Sequence, residues 1–312
     1  MRLAIVGLGR MGSNMAKRLV QGGHEISGYN RNVEVAKNLA EEISMKYFNS
    51  LEELIAAMHK PRIIWSMVPA GEVTEKIIIE CADFMDKNDI FVDGGNAFYK
   101  DSIRRASFLK QKGIHFLDVG VSGGIWGLTE GYSLMIGGEK EIADQLNPIF
   151  ETLAPGFDKG WGFVGPHGSG HFVKMIHNGI EYGMMEALAE GFELMQSKEE
   201  FNLDLKKIAE IWQHGSVVRS WLLDLTYDAL EENPNLSNIA SWVDDSGEGK
   251  WTIHESIDQE IPTPVMAISL YRRFFSRQEN SFSMRLLAAM RNRFGGHALK
   301  FAEENNQKDQ EE

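Results

Sequence analysis

The chain reads as an α/β protein, a Rossmann-type doubly wound and mostly parallel sheet at the N-terminus followed by an all-α C-terminal domain. Three observations predict this. Short apolar runs alternate with amphipathic stretches of period 3.6 from Met1 to Phe150, the order a parallel sheet requires. A G-x-G-x-x-G string, Gly7 to Gly12, stands directly behind the first apolar run and opens the first amphipathic stretch. From Gly170 onward the short apolar runs cease and 3.6 periodicity remains. The expected division is residues 1–165 for the sheet domain, 166–302 for the helical domain, and a polar tail over 303–312.

Taken in order, Arg2 to Val6 predicts a strand, Met11 to Val20 a helix and Glu25 to Tyr29 a second strand. Further apolar runs at Arg62 to Val68, Ile90 to Asp93, His115 to Val119 and Ser133 to Ile136 predict strands. Helical patterns at Leu51 to Met58, Val73 to Phe84, Asp101 to Lys110 and Ile142 to Phe150 separate most of them. The glycine-rich segment Gly160 to Gly170 marks the change of pattern. Beyond it, helices are expected over Gly170 to Gln196, Asp204 to His214, Val217 to Glu231, Trp251 to Asp258, Pro264 to Ser276 and Ser283 to Arg291.

Composition narrows the function. A net charge of −13 over 312 residues, with no lysine- or arginine-rich run, argues against a nucleic-acid surface. No apolar stretch reaches the length of a membrane span, and the first residues form a strand pattern in place of a signal peptide. The single cysteine, Cys81, excludes an intrachain disulfide and fits a core position, so a cytoplasmic location is expected.

The Gly7-Leu8-Gly9-Arg10-Met11-Gly12 string is the fingerprint of a dinucleotide site. The first glycine permits the tight turn, the second lets the backbone approach a pyrophosphate, and the third packs helix on strand. At the end of the second strand, Tyr29-Asn30-Arg31, the acid that would hold an NAD ribose is absent. Asn30 suits the ribose and Arg31 a 2′-phosphate, so NADP is expected, with NAD the alternative. Two later strand ends, Val68-Pro69-Ala70-Gly71 and Asp93-Gly94-Gly95-Asn96, suit the nicotinamide half, Asn96 being a candidate for both cofactor and substrate.

In the helical half, Lys174, His177, Asn178 and Glu181 are spaced by three, four and seven residues from the lysine and share one helix face. The stripe continues as Met185, Leu188 and Phe192, and the opposite face carries Phe172, Met175, Ile176, Ile180 and Met184, so the helix is expected to be buried on both sides. Burying an amine, an imidazole, an amide and a carboxylate together costs several kcal/mol without partners, which points to chemistry or a polar ligand. No His, Cys, Asp and Glu cluster has metal-ligand spacing, so no metal is expected.

With the fingerprint, Asp118 to Gly124 (DVGVSGG), Gly170 to Gly183 (GHFVKMIHNGIEYG) and Arg291 to His297 (RNRFGGH), the sequence resembles the decarboxylating 6-phosphogluconate dehydrogenases, in a short form, over nearly its whole length. The resemblance implies oxidation and decarboxylation of 6-phosphogluconate to ribulose 5-phosphate in the pentose phosphate pathway. It makes Lys174 the base on the C3 hydroxyl and Glu181 the acid that protonates the enediol carbon. Ser122, Gly123, Gly124, His177 and Asn178 become contacts to the sugar acid, Tyr182, Arg273 and Arg291 phosphate ligands, and His297 a tail residue reaching the substrate. It further implies a homodimer, or a dimer of dimers, with shared active sites. One departure concerns Asp245 to Thr252 (DSGEGKWT), where long forms bring a lysine and a threonine to the phosphate and this chain has Ser246 and Glu248, leaving the part of Lys250 open. The competing readings are another β-hydroxyacid dehydrogenase acting on a small unphosphorylated acid, and a catalytically silent NADP-binding protein.

Overall fold

A computed structural model describes residues 1–301, so the expected tail over 303–312 lies outside the described residues. Eight strands form one sheet in the order β3-β2-β1-β4-β5-β6-β7-β8, parallel throughout except where β6 and β7 run antiparallel. β1 (Arg2–Val6), β4 (Ile63–Ser66) and β5 (Ile90–Asp93) are its centre, flanked by β2 (Glu25–Tyr29) and β3 (Met45–Tyr47) on one side. β6 (His115–Ser122), β7 (Ser133–Gly138) and β8 (Trp161–Gly165) complete the other side. The chain runs from β1 out to β2 and β3, then crosses back to β4, so the strand order reverses between β1 and β4. A crevice at the carboxyl ends of such strands is where open α/β sheets take ligands.

Alternate residues of the central strands feed two cores. Leu3, Ile5, Trp65, Val92 and Leu117 pack with Met15 and Leu19 of α1 (Arg10–Gln21) and with Ile149 and Leu153 of α8 (Asn147–Leu153). Ala4, Val6, Ile64, Phe91 and Phe116 meet Leu51 and Leu54 of α3 (Leu51–Ala56), Ile78 and Cys81 of α4 (Glu72–Phe84), and Leu109 of α5 (Tyr99–Gln111). Strands apolar on both faces belong to a sheet covered on both sides.

Several elements differ from expectation for identifiable reasons. The three-residue β3, and the α2 helix (Val33–Glu42) before it, lay between better-marked runs, and β8 sits inside the glycine-rich segment that marked the change of pattern, where no strand was expected. The single helix expected over Ile142 to Phe150 is two, α7 (Lys140–Gln145) and α8, because Pro148 in the first turn of α8 lacks the N–H that would continue α7. A short α6 (Gly127–Glu130) precedes β7.

After β8 the described chain is helical: α9 (Ser169–Gln196), α10 (Leu205–Gln213), α11 (Trp221–Glu232), α12 (Glu248–Asp258), α13 (Pro264–Ser276) and α14 (Phe282–Gly295). α11 starts four residues later than expected, where Ser220 Oγ accepts the Leu223 N–H at 3.2 Å and caps it. Compactness divides the chain into Met1–Leu203 with Ser246–Ala267 as one unit, and Asp204–Asp245 with the chain from Ile268 as the other. That division does not fall at 165/166, because α9 and α12 belong with the sheet. In the second unit α10 and α11 pair through Ala209, Leu223 and Leu230, whereas α14 buries no residue. The expectation that α9 is buried on both sides is corrected: its N-terminal half is covered by β6, β7 and α12, but Ile180, Met184 and Met185 are exposed in this chain.

Candidate active site

The loop behind β1 is built for an anion. Gly7 has φ +92°, and a Cβ there would lie 2.7 Å from Met67 O, so only glycine fits. At Gly9 a Cβ would meet nothing within 4 Å, leaving the backbone approachable, and Gly12 packs against Gly7 O where no Cβ has room. The first turn of α1 has no side-chain cap and no acidic residue, so its N–H groups and positive dipole end face the loop. Leu8 is buried, its main-chain N–H given to Asn30 Oδ1 and its C=O accepting from Ser13 Oγ, so the exposed Gly9 and Arg10 are left for contact, with Met11 half-buried. These features fit the pyrophosphate of a dinucleotide.

Asn30 and Arg31 stand at the end of β2. The Asn30 amide is engaged locally, Oδ1 accepting the Leu8 N–H at 3.0 Å and Nδ2 donating to Asn32 O at 3.0 Å, so it fastens the glycine loop to β2. Arg31 is exposed and makes no ion pair among the described residues. The Val68, Pro69 and Ala70 loop and Asn96 stand at the carboxyl ends of β4 and β5. One buried guanidinium ties the two together: Arg105, 1% exposed, donates to Gly71 O at 3.2 Å and to Asp93 Oδ2 at 3.3 Å. Asp93 Oδ1 in turn accepts the Gly95 N–H at 3.2 Å, shaping the turn that presents Asn96. Arg105 was not legible as a site residue, and Asp93 was named as part of the strand end offered to the nicotinamide but not as the acid that shapes it, for which an acid closing an apolar strand is the one available signal.

α9 reaches the sheet by close approach. A Cβ on Gly120 of β6 would lie 2.5 Å from Lys174 Cβ and 2.7 Å from Gly170 O. Asp118, fully buried, accepts the Gly168 N–H at 2.7 Å and the His171 N–H at 3.0 Å, capping the helix from the strand below. Lys174 is thereby set over β6, two residues before Ser122. Ser122, Gly123 and Gly124 follow at the carboxyl end of that strand, where β6 runs beyond the last β5 pairing.

Lys174 is 8% exposed, and its Nζ donates to Asn178 Oδ1 at 2.6 Å. His177 Nδ1 lies 3.3 Å from Nζ and 3.2 Å from Asn178 Oδ1, so its tautomer decides whether it accepts from the lysine or donates to the amide. Burial holds the Lys174 ammonium below the ordinary lysine range, opposed by Glu181 and Glu248. His177 is lowered by burial and then by the charge of Lys174. Glu181 is half-exposed one turn on, its Oε2 3.8 Å from His177 Nδ1. Tyr182 is buried on the neighbouring face. The structure therefore brings Lys174, His177, Asn178 and Glu181 together, with a buried amine inclined to neutrality at the centre.

α12 supplies a wall to the same unit. Phe98 and Trp251 meet at 5.4 Å between ring centroids, and with Ala70, Asn96, Ser246 and Glu248 they line a cavity of about 500 Å³. In the second unit, Arg273 Nη1 donates to Asp244 O at 2.8 Å, Arg291 is exposed, and the His297 ring folds against Phe294 at 6.3 Å beyond the end of α14. Among the described residues no three His, Cys, Asp or Glu side chains converge as a metal site, and no helix is long and apolar enough to cross a membrane.

Comparison with known proteins matches residues 2–162 to the NAD binding domain of 6-phosphogluconate dehydrogenase, and 170–282 and 195–311 to the C-terminal domain of that enzyme. The chain is 41% identical over 300 residues to YqeC of Bacillus subtilis (strain 168), covering 96% of this chain and 99% of that one, which carries the 6-phosphogluconate dehydrogenase name provisionally. It is 39% identical over 300 residues, 96% of this chain and 98% of the other, to the NAD(+)-dependent decarboxylating 6-phosphogluconate dehydrogenase of Haloferax volcanii. The Plasmodium falciparum 6-phosphogluconate dehydrogenase, solved in its apo form, with its cofactor NADP+ and with its substrate 6-phosphogluconate, superimposes with a TM-score of 0.82 at 28% identity, over 98% of this chain and 67% of that one.

Proposed function

The chain belongs to the 6-phosphogluconate dehydrogenase family, and from that premise we propose that it converts 6-phospho-D-gluconate to D-ribulose 5-phosphate and CO2 with NADP as oxidant. The observation that carries the reading is the buried Lys174, gripped by Asn178 and biased towards its neutral form beside a Rossmann crevice. The nicotinamide cofactor, when bound, supplies the hydride acceptor. A neutral Lys174 takes the C3 hydroxyl proton as the hydride leaves C3, giving a ketone β to the C1 carboxylate. The C1–C2 bond then breaks, CO2 departs, and the electron pair moves through C2 towards the C3 oxygen, where the newly protonated Lys174 stabilises the developing charge and returns its proton. Glu181 protonates C2, the carbon that becomes C1 of the product, while the neutral Lys174 takes the C3 hydroxyl proton again, so that the enediol becomes the ketone. Asn178 and His177 keep the lysine in place, and Ser122, Gly123, Gly124 and Asn96 are proposed to hold the sugar acid. Tyr182, Arg273, Arg291 and His297 are proposed as phosphate and substrate ligands on the resemblance and their residue types.

Arg31, exposed at the end of β2 and in no ion pair among the described residues, supports NADP in place of NAD. The working assembly is proposed to be a homodimer, or a dimer of dimers, since among the described residues α14 has no buried side chain and exposes Met284, Leu287, Met290 and Phe294. Absorbance of reduced cofactor and trapped CO2, followed with 6-phosphogluconate and each nicotinamide cofactor, tests the reading. Equimolar NADPH and CO2 are expected. Turnover of 3-hydroxyisobutyrate or tartronate semialdehyde's reduced acid with none of 6-phosphogluconate would replace it by a small-acid dehydrogenase.

A further inference from the structure

We propose that Glu248 is a positioning residue for Lys174, its buried carboxylate keeping the lysine's protonated form available for the acid half of the reaction. The proposal rests on the reading of Lys174 as base and then acid.

Glu248 is the first residue of α12 and only 2% exposed. An acid that merely complements a helix N-terminus does so from the surface, and burying a carboxylate costs several kcal/mol when nothing compensates it. Its one direct side-chain partner among the described residues is a neutral hydroxyl, Ser246 Oγ, which donates to Oε2 at 2.6 Å. A clamp presses this turn onto α9: Thr252 Oγ1 is 2.9 Å from both Glu248 O and Met175 O, and Gly179 leaves room for the Thr252 methyl. The first turn of α12 is therefore held against the helix segment that carries Lys174, and the Glu248 side chain lines the cavity bounded by Asn96 and Trp251, within reach of the lysine's charge.

The other groups facing Lys174 do not substitute for it. From α9 itself come His177 and Glu181, the latter reserved as proton donor to carbon. β6 meets the lysine at Gly120, and its Asp118 is turned to the Gly168 and His171 N–H groups. On α5, Tyr99 donates to Glu255 Oε2 at 2.7 Å and Ser102 is bonded to His171, while β7 and β8 contribute no charged side chain. A lysine that is only buried makes a ready base and a poor reservoir of protons. A carboxylate near it, but not in contact, leaves both forms within reach.

The test uses the full chain labelled with 13C-lysine, the Lys174 Cε resonance being the one lost in Lys174→Met. Glu248→Gln is isosteric and keeps an acceptor for Ser246, so it is expected to fold, with thermal unfolding as the control. Its Lys174 proton affinity should fall by about tenfold, while Glu248→Asp keeps most of the wild-type value. With substrate, the acid limb of kcat/KM should move to lower pH in Glu248→Gln and return in Glu248→Asp. An unchanged Lys174 titration in folded Glu248→Gln, or an equal displacement in both variants, overturns the proposal. Because the titration needs no substrate, its outcome stands apart from whether 6-phosphogluconate is turned over.

Discussion

Burial lowers the proton affinity of Lys174 in the native protein, so below its ordinary value of about 10.4 there is a window in which the unfolded chain binds a proton that the native chain does not. Native stability therefore rises with pH through that window, and at neutral pH the lysine weakens the fold. Lys174→Met should raise Tm at pH 7 by about 2 °C while lowering kcat by on the order of 10²-fold or more, measured by thermal unfolding and steady-state kinetics on one preparation. A variant both less stable and inactive would place the lysine among the structural groups. Cofactor choice is a second matter of one side chain. Arg31→Asp removes a charge-assisted contact to a 2′-phosphate and adds repulsion, so NADP affinity should weaken by roughly 10- to 100-fold with NAD spared. Equal loss of both in a binding titration would show that Arg31 does not read the phosphate.

At the scale of elements, the position of α9 depends on what its neighbours lack. Gly120→Ala would put a methyl where Lys174 Cβ and Gly170 O already stand, forcing helix and strand apart at a cost of about 1–3 kcal/mol. Tm should drop, and kcat should drop with it although every catalytic side chain is present. Full activity in this variant would mean that the approach is slack. The same contact shows what pattern reading reaches. β1, β2, β5 and α13 have the bounds expected, because an apolar run ended by polar residues states its own length. The stripe from Lys174 to Glu181 was legible because helical spacing alone converges it. The burial of Asp118, Arg105 and Glu248 was not, although the motifs holding Asp118 and Glu248 were, since a buried charged residue and a solvated one look alike in sequence. The partners of Asp118 and Arg105, such as Gly168 for Asp118, are distant along the chain and become neighbours only when the sheet forms. β8 escaped because its glycines, half-exposed at a sheet edge, imitate a linker.

The molecule as a whole raises the question of what the second unit packs against. If two copies share each site, Lys174→Ala and His297→Ala proteins should each be poorly active, and co-expression should restore one intact site in each mixed dimer. With about half of the dimers mixed, activity should approach roughly a quarter of wild type. Recovery no greater than the sum of the two residual activities, with subunit exchange verified by mass, would assign His297 to its own subunit. α14 gives this arrangement a further meaning. A helix of this length is marginal in water by itself, and here none of its residues is fully buried by the described chain. On the two-copy reading its folding is a bimolecular event, so dilution acts on it as heat acts on an ordinary helix. Specific activity would then depend on how much enzyme is in the cuvette, and a substrate that bridged the copies would stabilise the dimer in proportion to its own concentration.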